Sequence, residues 1–173
     1  MGLVQAPDQT REDRLGQLVQ RYEKDLLKIC CLYLRDRNAA EDVVQDAFLK
    51  AYRNLDSFRG ESSEKTWLIG IALNCCRDYR RSAWYRYIDR RVSVDQLPLS
   101  SDMPRDDHLV LTMAIMKLKP KYLEAVLLYF YEGYSMKDTA RILGITEAAV
   151  SGRLRKAKEQ LRAELEGGEH DEE

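Results

Sequence analysis

Apolar side chains recur every three to four residues along most of the chain, which predicts α-helices rather than strands. The clearest case runs from Arg11 to Leu34, where apolar positions keep helical spacing for more than five turns and Thr10 with Asp13 can cap the start. A second helix is predicted over 39–54 with Asn38 as its N-cap, and a third from Thr66 to about Trp84. The first half of the chain is therefore expected to be a compact all-α domain.

The helical pattern stops over residues 92–107, where two prolines, three serines and four aspartates replace it. It resumes as a short helix over about 107–117 and another over 121–132, with Pro120 at the first turn. We therefore expect an all-α fold of two small helical domains, 1–91 and 108–166. A flexible linker over 92–107 would join them, and an acidic disordered tail would follow over 167–173.

Residues 135–162 have the pattern of a helix-turn-helix. Ser135 with Asp138 can cap a short helix, Gly144 can end it in left-handed geometry, and Thr146 can cap the next helix. Residues of the second helix at inward spacing are Ala149, Val150, Leu154, Ala157 and Leu161. If the motif binds DNA, base edges would be near Thr146, Glu147, Ala148, Ser151 and Gly152, and phosphates or guanine edges near Arg153, Arg155 and Lys156. The alternative is an ordinary helical hairpin with a solvated charged face.

The charge distribution is compatible with DNA binding although the net charge is −1. Residues 109–163 hold ten Lys or Arg against five Asp or Glu, whereas residues 164–173 hold six acids and no Lys or Arg. The basic charge is therefore concentrated in the domain that carries the helix-turn-helix.

Two further charged stretches lie in the first domain. The second helix has a polar face made of Glu41, Asp42, Gln45 and Asp46; the helix dipole accounts well for the first two and less well for the last two. Residues 77–91 then hold six arginines with Tyr79, Trp84, Tyr85 and Tyr87 interleaved. This pattern suits the binding of unpaired bases, or alternatively rings that pack on the core beside solvated arginines.

The remaining chemistry is sparse. The four cysteines form two adjacent pairs, at 30–31 and 75–76, which is not zinc-site spacing, so we expect buried apolar side chains and no metal or cofactor. No secretory signal pattern or membrane-spanning run is visible, which predicts a cytoplasmic protein without membrane insertion. No acid, base and nucleophile occur together as in an active site, so we expect a protein that is not an enzyme.

Taken together, these segments of the chain resemble the extracytoplasmic-function (ECF) RNA polymerase sigma factors of the sigma-70 superfamily. The segments AAEDVVQDAFLKAYRNLDSFRG and TWLIGIALNCCRDYRR are similar to the family's second conserved region. The segment LKPKYLEAVLLYFYEGYSMKDTARILGITEAAVSGRLRKAKEQLR is similar to its C-terminal domain. The resemblance covers about residues 15–162 and keeps the motifs in the family's order.

The resemblance implies that the protein binds core RNA polymerase and directs it to promoters. The N-terminal domain would dock on the β′ clamp helices and capture unstacked bases of the −10 element. The C-terminal domain would read the −35 element as duplex and contact the β flap. An anti-sigma factor is a further implied partner, because such a partner holds many relatives inactive.

Carried onto this sequence, the resemblance assigns polymerase docking to Glu41, Asp42, Gln45 and Asp46. Residues assigned to the −10 element are Phe58, Arg59, Ser62, Ser63, Lys65, Asn74, Arg77 and Arg81. Residues 146–156 would read the −35 element. The sequence departs from the family at Glu64, where an aromatic residue is common, and at Gly70 and Leu73, where arginine is common.

Two other classes remain open from the sequence. A conventional regulator would bind duplex DNA alone, as a dimer with a helical effector domain. A redox-sensing or metal-binding helical protein would use the cysteine pairs.

Overall fold

The computed structural model describes residues 10–82 and 105–167. Within those ranges every regular element is helical, which confirms the predicted all-α class. Most of the predicted linker and of the acidic tail lies outside the described residues.

Three helices form the N-terminal domain: α1 (Arg11–Leu34), α2 (Arg37–Arg53) and α3 (Glu64–Arg81), with a 3₁₀ turn at Leu55–Ser57. The predicted capping box is present, because the Thr10 side chain accepts from the Asp13 amide and the Asp13 side chain accepts from the Thr10 amide. The predicted cap of α2 was wrong. Asp36, with extended backbone at φ −153°, accepts from the amide of Ala39, and the helix begins at Arg37.

Four helices form the C-terminal domain: α4 (Arg105–Met116), α5 (Pro120–Val126), α6 (Met136–Leu143) and α7 (Glu147–Gly167). Pro120 lies in the first turn of α5, where its missing N–H is not needed. The end of α5 continues into a π-helical segment, Leu127–Tyr131, for which the sequence has no signature. Helix α4 begins two residues before its predicted start.

Buried apolar side chains form one continuous cluster that extends through both domains. In the N-terminal domain its centre is the fully buried Leu26, Ile29 and Leu68, and in the C-terminal domain it is Leu123 and Leu128. Helix α3 packs against α6, and α1 packs against α5. The two domains therefore contact each other directly in this structure.

All four cysteines are buried free thiols of the N-terminal domain. Cys30 of α1 and Cys76 of α3 face each other with their Sγ atoms 3.6 Å apart. Burial raises the pKa of Cys31 to about 11 and also raises the pKa of Cys75. Because the thiolate is the reactive form, these buried side chains serve as small apolar groups, and the contact of Cys30 with Cys76 joins α1 to α3.

We predict that the native thiols resist alkylation. At pH 8 iodoacetamide should modify the folded chain about 100-fold more slowly than the urea-unfolded chain, in which all four cysteines are accessible. Mass spectrometry of timed samples measures both rates. A native cysteine that reacts as fast as in the unfolded chain would contradict this packing role and support a redox sensor.

Candidate nucleic-acid and polymerase interfaces

Helices α6 and α7 are joined by a tight turn whose geometry follows from three residues. The Ser135 Oγ accepts from the Asp138 amide at 3.0 Å, which starts α6. Gly144 ends it in the left-handed region at φ 66° and donates to the Ala140 carbonyl. The Thr146 Oγ1 then accepts from the Ala149 amide at 3.1 Å. The predicted helix-turn-helix is therefore present with its predicted caps, although the Asp138 carboxylate accepts from the Ser135 hydroxyl rather than completing a capping box.

One side of α7 is buried and the other is exposed. Val150, Leu154 and Ala157 are the buried positions of the helix. The prediction that Ala149 faces inward was wrong: it is exposed, because it lies about 100° around the helix from Val150. Predicted DNA residues that the structure leaves exposed are Thr146, Glu147, Ala148, Ser151, Arg155 and Lys156. They lie at the turn and along the start of α7.

Arg153 lies apart from that surface, since its side chain is only 25% exposed. Its Nη1 atom is 3.6 Å from Oε2 of Glu124 and 3.4 Å from the carbonyl oxygen of Lys121. In this structure the Arg153 guanidinium therefore faces the contact between the two domains.

Glu124 of α5 is a buried carboxylate at that contact, with 4% of the residue exposed. Its Oε1 accepts from the Tyr33 hydroxyl at 3.0 Å and from Arg77 Nε at 2.8 Å. Its Oε2 accepts from Arg77 Nη2 at 3.0 Å, so the arginine binds with both arms of its guanidinium. These hydrogen bonds raise the pKa of Arg77, while burial and the nearby carboxylate raise the pKa of Tyr33.

A cavity of about 460 Å³ opens beside Glu124, between the domains. Its lining contains the cationic side chains Arg77, Arg80, Arg81, Lys121 and Arg153. Glu124 is the one carboxylate in that lining, so the described surface of the cavity is strongly positive.

The loop between the 3₁₀ turn and α3 holds most of the predicted −10 residues. The Phe58 ring packs against the Trp67 ring at 4.8 Å between centroids, while Arg59 is exposed. Ser62 is half-buried. Ser63 caps α3 by accepting from the Thr66 amide at 3.1 Å, so its side chain has a structural role.

The predicted −10 residues on α3 differ in whether they are exposed or paired with carboxylates. Asn74 and Arg81 are exposed, and the Asn74 Oδ1 accepts from Arg77 Nη1 at 2.8 Å. Lys65 instead contacts two carboxylates, Asp25 at 3.0 Å and Glu132 at 2.9 Å. Burial alone would lower the pKa of Lys65, but the hydrogen bonds to Glu132 and Asp25 raise it well above its usual range.

Two of the three departures from the family pattern, Glu64 and Leu73, have structural roles. Glu64 lies in the first turn of α3, where the helix dipole favours an acid, and its carboxylate is 3.9 Å from Arg14 and 3.7 Å from Arg21 of α1. Leu73 is 1% exposed and belongs to the core. These side chains therefore contribute to the packing of α3.

The polar face of α2 is fully accessible. Glu41, Asp42, Gln45 and Asp46 are all exposed, and Glu41 also receives a hydrogen bond from Arg37 at 2.9 Å. Sequence reasoning missed Leu49, which continues the same face one turn further and is 53% exposed. Its spacing of three and four residues from Asp46 and Gln45 is the signal that could have identified it.

Comparisons with known proteins agree with this architecture. Residues 18–86 match the profile of sigma-70 region 2, and residues 108–161 match that of sigma-70 region 4. The ECF RNA polymerase sigma factor SigM of Mycobacterium tuberculosis is 32% identical over 152 residues, which cover 84% of this chain and 74% of that protein. The chain belongs to the ECF sigma factors of the sigma-70 family. SigW of Bacillus subtilis, also an ECF sigma factor, is 29% identical over 168 residues, which cover 89% of this chain and 90% of SigW.

Solved sigma factors share the fold. CnrH, in complex with the cytosolic domain of CnrY, superposes with a TM-score of 0.67 at 27% identity, over 90% of each chain. The sigma factor RpoE of Bartonella quintana, in complex with the anti-sigma factor NepR, gives a TM-score of 0.71 at 24% identity, over 88% of this chain and 97% of that one. The second likeness supports the fold alone.

As an ECF sigma factor, the chain acts in promoter-directed transcription initiation, with core RNA polymerase and promoter DNA as its partners. No helix within residues 10–82 and 105–167 combines the length and the apolar character that crossing a membrane requires. In the same described ranges, no group of three or more His, Cys, Asp or Glu side chains is arranged to hold a metal ion. The arginine and aromatic residues at 83–91 lie outside the described ranges.

Proposed function

We propose that this sigma factor reads the −35 element as duplex with α7 and captures melted −10 bases with the 58–65 loop and α3. The polar face of α2 would dock on the β′ clamp helices of core polymerase. The observation that carries the proposal is the exposed start of α7, which follows a glycine turn and presents the polar and basic side chains of Glu147, Ser151 and Arg155.

The −35 assignment rests on which side chains of α7 are free to meet a duplex. The first turns of the second helix of a helix-turn-helix enter the major groove, and Glu147, Ala148 and Ser151 are exposed there. Arg155 is exposed one turn beyond Ser151 and can reach a phosphate or a guanine edge. Small residues at the start of the helix allow a close approach, and basic residues further along hold the backbone.

We predict that Arg155→Ala in the complex with core polymerase weakens binding to a −35 duplex roughly tenfold. Fluorescence anisotropy across a salt series measures the affinity. A phosphate contact would lower affinity evenly across sequences and reduce the salt slope by about one, whereas a base contact would relax preference at one position.

The matched control for this variant is Lys117→Ala, which also removes a positive charge from the C-terminal domain. Lys117 pairs with Glu164 near the end of α7, away from the exposed start of that helix. Equal weakening by both variants would contradict a specific role for Arg155.

The −10 assignment rests on aromatic side chains and an exposed cation in and next to the loop that precedes α3. Phe58 and Trp67 supply aromatic surface, and Arg59 supplies an exposed charge next to it. Stacking and backbone neutralisation are what hold unpaired bases. Because a base must leave the duplex stack at a cost of a few kcal/mol, such contacts are needed to stabilise the melted strand.

We predict that Arg59→Ala weakens binding of the sigma–polymerase complex to a forked template with an unpaired −10 strand, by about three- to tenfold. Binding to a fully paired −35 fragment should stay unchanged. Arg53→Ala is the control, because Arg53 is exposed nearby at the end of α2 and is not assigned to DNA. An Arg59 variant that binds the fork normally would remove the loop from the −10 site.

Polymerase docking is assigned to the α2 face because its residues are exposed yet carry no evident role in the fold. Asp42, Gln45 and Asp46 lie on one face of α2, and the exposed apolar Leu49 continues that face one turn further, so that charged and apolar surface are adjacent, as in protein interfaces. On the C-terminal domain, α4 exposes Val110 and Met113, 56% and 47% accessible, which we propose as the contact with the β flap.

We predict that Asp42→Arg lowers affinity for core polymerase at least about tenfold while the chain remains folded, because it reverses a charge on the α2 face. Biolayer interferometry with immobilised core enzyme measures the affinity. Glu23→Arg on α1 makes the same charge change at an exposed site outside that face and should bind normally. Unchanged affinity of the Asp42 variant would remove the docking assignment.

The whole proposal is tested by run-off transcription with purified core polymerase, followed by mapping of start sites. A chain that starts no defined transcript on any promoter template would overturn it. The protein is proposed to act in the cytoplasm as a non-catalytic factor without a cofactor. Because CnrH is bound to the cytosolic domain of CnrY, we also propose that an anti-sigma factor binds this chain.

A further inference from the structure

The positively charged cavity beside Glu124 has the size of a small-molecule site. Its volume is about 460 Å³, and cavities of roughly 300–1,000 Å³ are those that hold small organic ligands. Its cationic side chains come from three helices and are Arg77, Arg80 and Arg81 of α3, Lys121 of α5 and Arg153 of α7. Among the described lining residues, one carboxylate faces these five cations.

Glu124 neutralises part of this positive charge. Its Oε2 oxygen lies 3.0 Å from Arg77 Nη2 and 3.6 Å from Arg153 Nη1, so two guanidinium groups from different helices face one anionic oxygen. Cations at such short distances repel each other unless an anion lies between them. One corner of the cavity therefore already surrounds a negatively charged oxygen.

The cations further along the lining have no such partner. Arg81 at the end of α3 and Lys121 in the first turn of α5 are both exposed, and neither pairs with a carboxylate of the described residues. The Lys121 Nζ atom lies 5.0 Å from the centroid of the Tyr122 ring, a contact that supplies no negative charge. The cavity therefore keeps positive charge that Glu124 does not balance.

The distribution of these cations indicates the shape of the anion that they would bind. They belong to three helices, and a single phosphate group has too few oxygens to contact all of them. A chain of phosphates carries several charges along its length and can reach cations of different helices at once. Guanidinium groups bind phosphate through two parallel hydrogen bonds, and lysine binds it as a point charge.

We propose that this cavity is a binding site for a ligand that carries a chain of phosphates, an inorganic oligophosphate or a nucleoside triphosphate. Arg81 and Lys121 contact the phosphates, while Arg77 and Arg153 hold Glu124 and add positive potential. The inference is independent of the proposed function, because neither polymerase nor promoter DNA takes part in it. Lys121, moreover, is not among the residues assigned to DNA.

Isothermal titration calorimetry of the full chain tests the site, with sodium tripolyphosphate, ATP and AMP in magnesium-free buffer and no DNA. We expect one tripolyphosphate or one ATP to bind per chain, and AMP, with its single phosphate, to bind at least about tenfold more weakly. Equal affinity for tripolyphosphate and ATP assigns recognition to the phosphate chain alone. Tighter binding of ATP adds a contact with the nucleoside.

Lys121→Gln is the decisive variant, because it removes one cation from the lining and none from the proposed DNA sites. Tripolyphosphate should bind it about tenfold more weakly, as expected for the loss of one charge-assisted contact. Lys119→Gln is the matched control. Lys119 is exposed two positions earlier, lies outside the described lining and makes no side-chain capping hydrogen bond, so this variant should change the affinity less than about twofold.

Arg81→Gln repeats the measurement from the N-terminal domain and should weaken binding by a similar factor. Its control is Arg53→Gln, which removes the same charge from an exposed site at the end of α2, outside the described lining. Circular dichroism checks that each variant is folded. If Lys121→Gln does not fold, the comparison of Arg81→Gln with Arg53→Gln decides.

The proposal fails if neither tripolyphosphate nor ATP binds the wild-type chain at millimolar concentrations. It also fails if Lys119→Gln weakens binding as much as Lys121→Gln, or if several ligands bind each chain with equal affinity. General attraction to a basic surface would then account for the heat. AMP that binds as tightly as ATP would contradict recognition of a phosphate chain.

Discussion

A carboxylate removed from water must be paired, and the contact between the domains is organised around one such group. Glu124 is 4% exposed and binds Tyr33 of α1 and Arg77 of α3, while Arg153 of α7 lies beside it. Removing one member of a buried ion pair typically costs about 3–5 kcal/mol, because the other charge remains buried. The position of α5 on α1 and α3 is therefore tied to the side chains that the protein is proposed to use on DNA.

Local signals were sufficient to predict most helices. The Thr10 capping box, Pro120 in the first turn of α5 and the left-handed Gly144 fix their backbones through contacts within three or four residues. Prediction failed where two local solutions compete. Asp36 and Asn38 are equally good N-caps, and the extended backbone of Asp36 decides between them only in the folded chain. The π-helical segment at Leu127–Tyr131 has no sequence signal of its own.

The candidate site likewise has a part that local sequence patterns predict and a part that they do not. Exposed faces follow from helical period, so the start of α7 and the polar face of α2 could be predicted, and Leu49 could have been added to the latter. The carboxylate partners of Lys65, Arg77 and Arg153 could not be predicted. Glu124 is one polar residue in an amphipathic helix, and nothing in its neighbourhood indicates a hydrogen bond to Tyr33, 91 positions earlier. Contacts between domains depend on packing that no local pattern records.

The pairing of cations that we propose to bind DNA with internal acids also bears on the net charge of −1, which is unusual for a protein that contacts phosphates. Glu124 and Glu132 neutralise Arg77 and Lys65 only while the domains touch. The local charge of a surface, rather than the net charge of the whole chain, therefore decides where a phosphate can be bound.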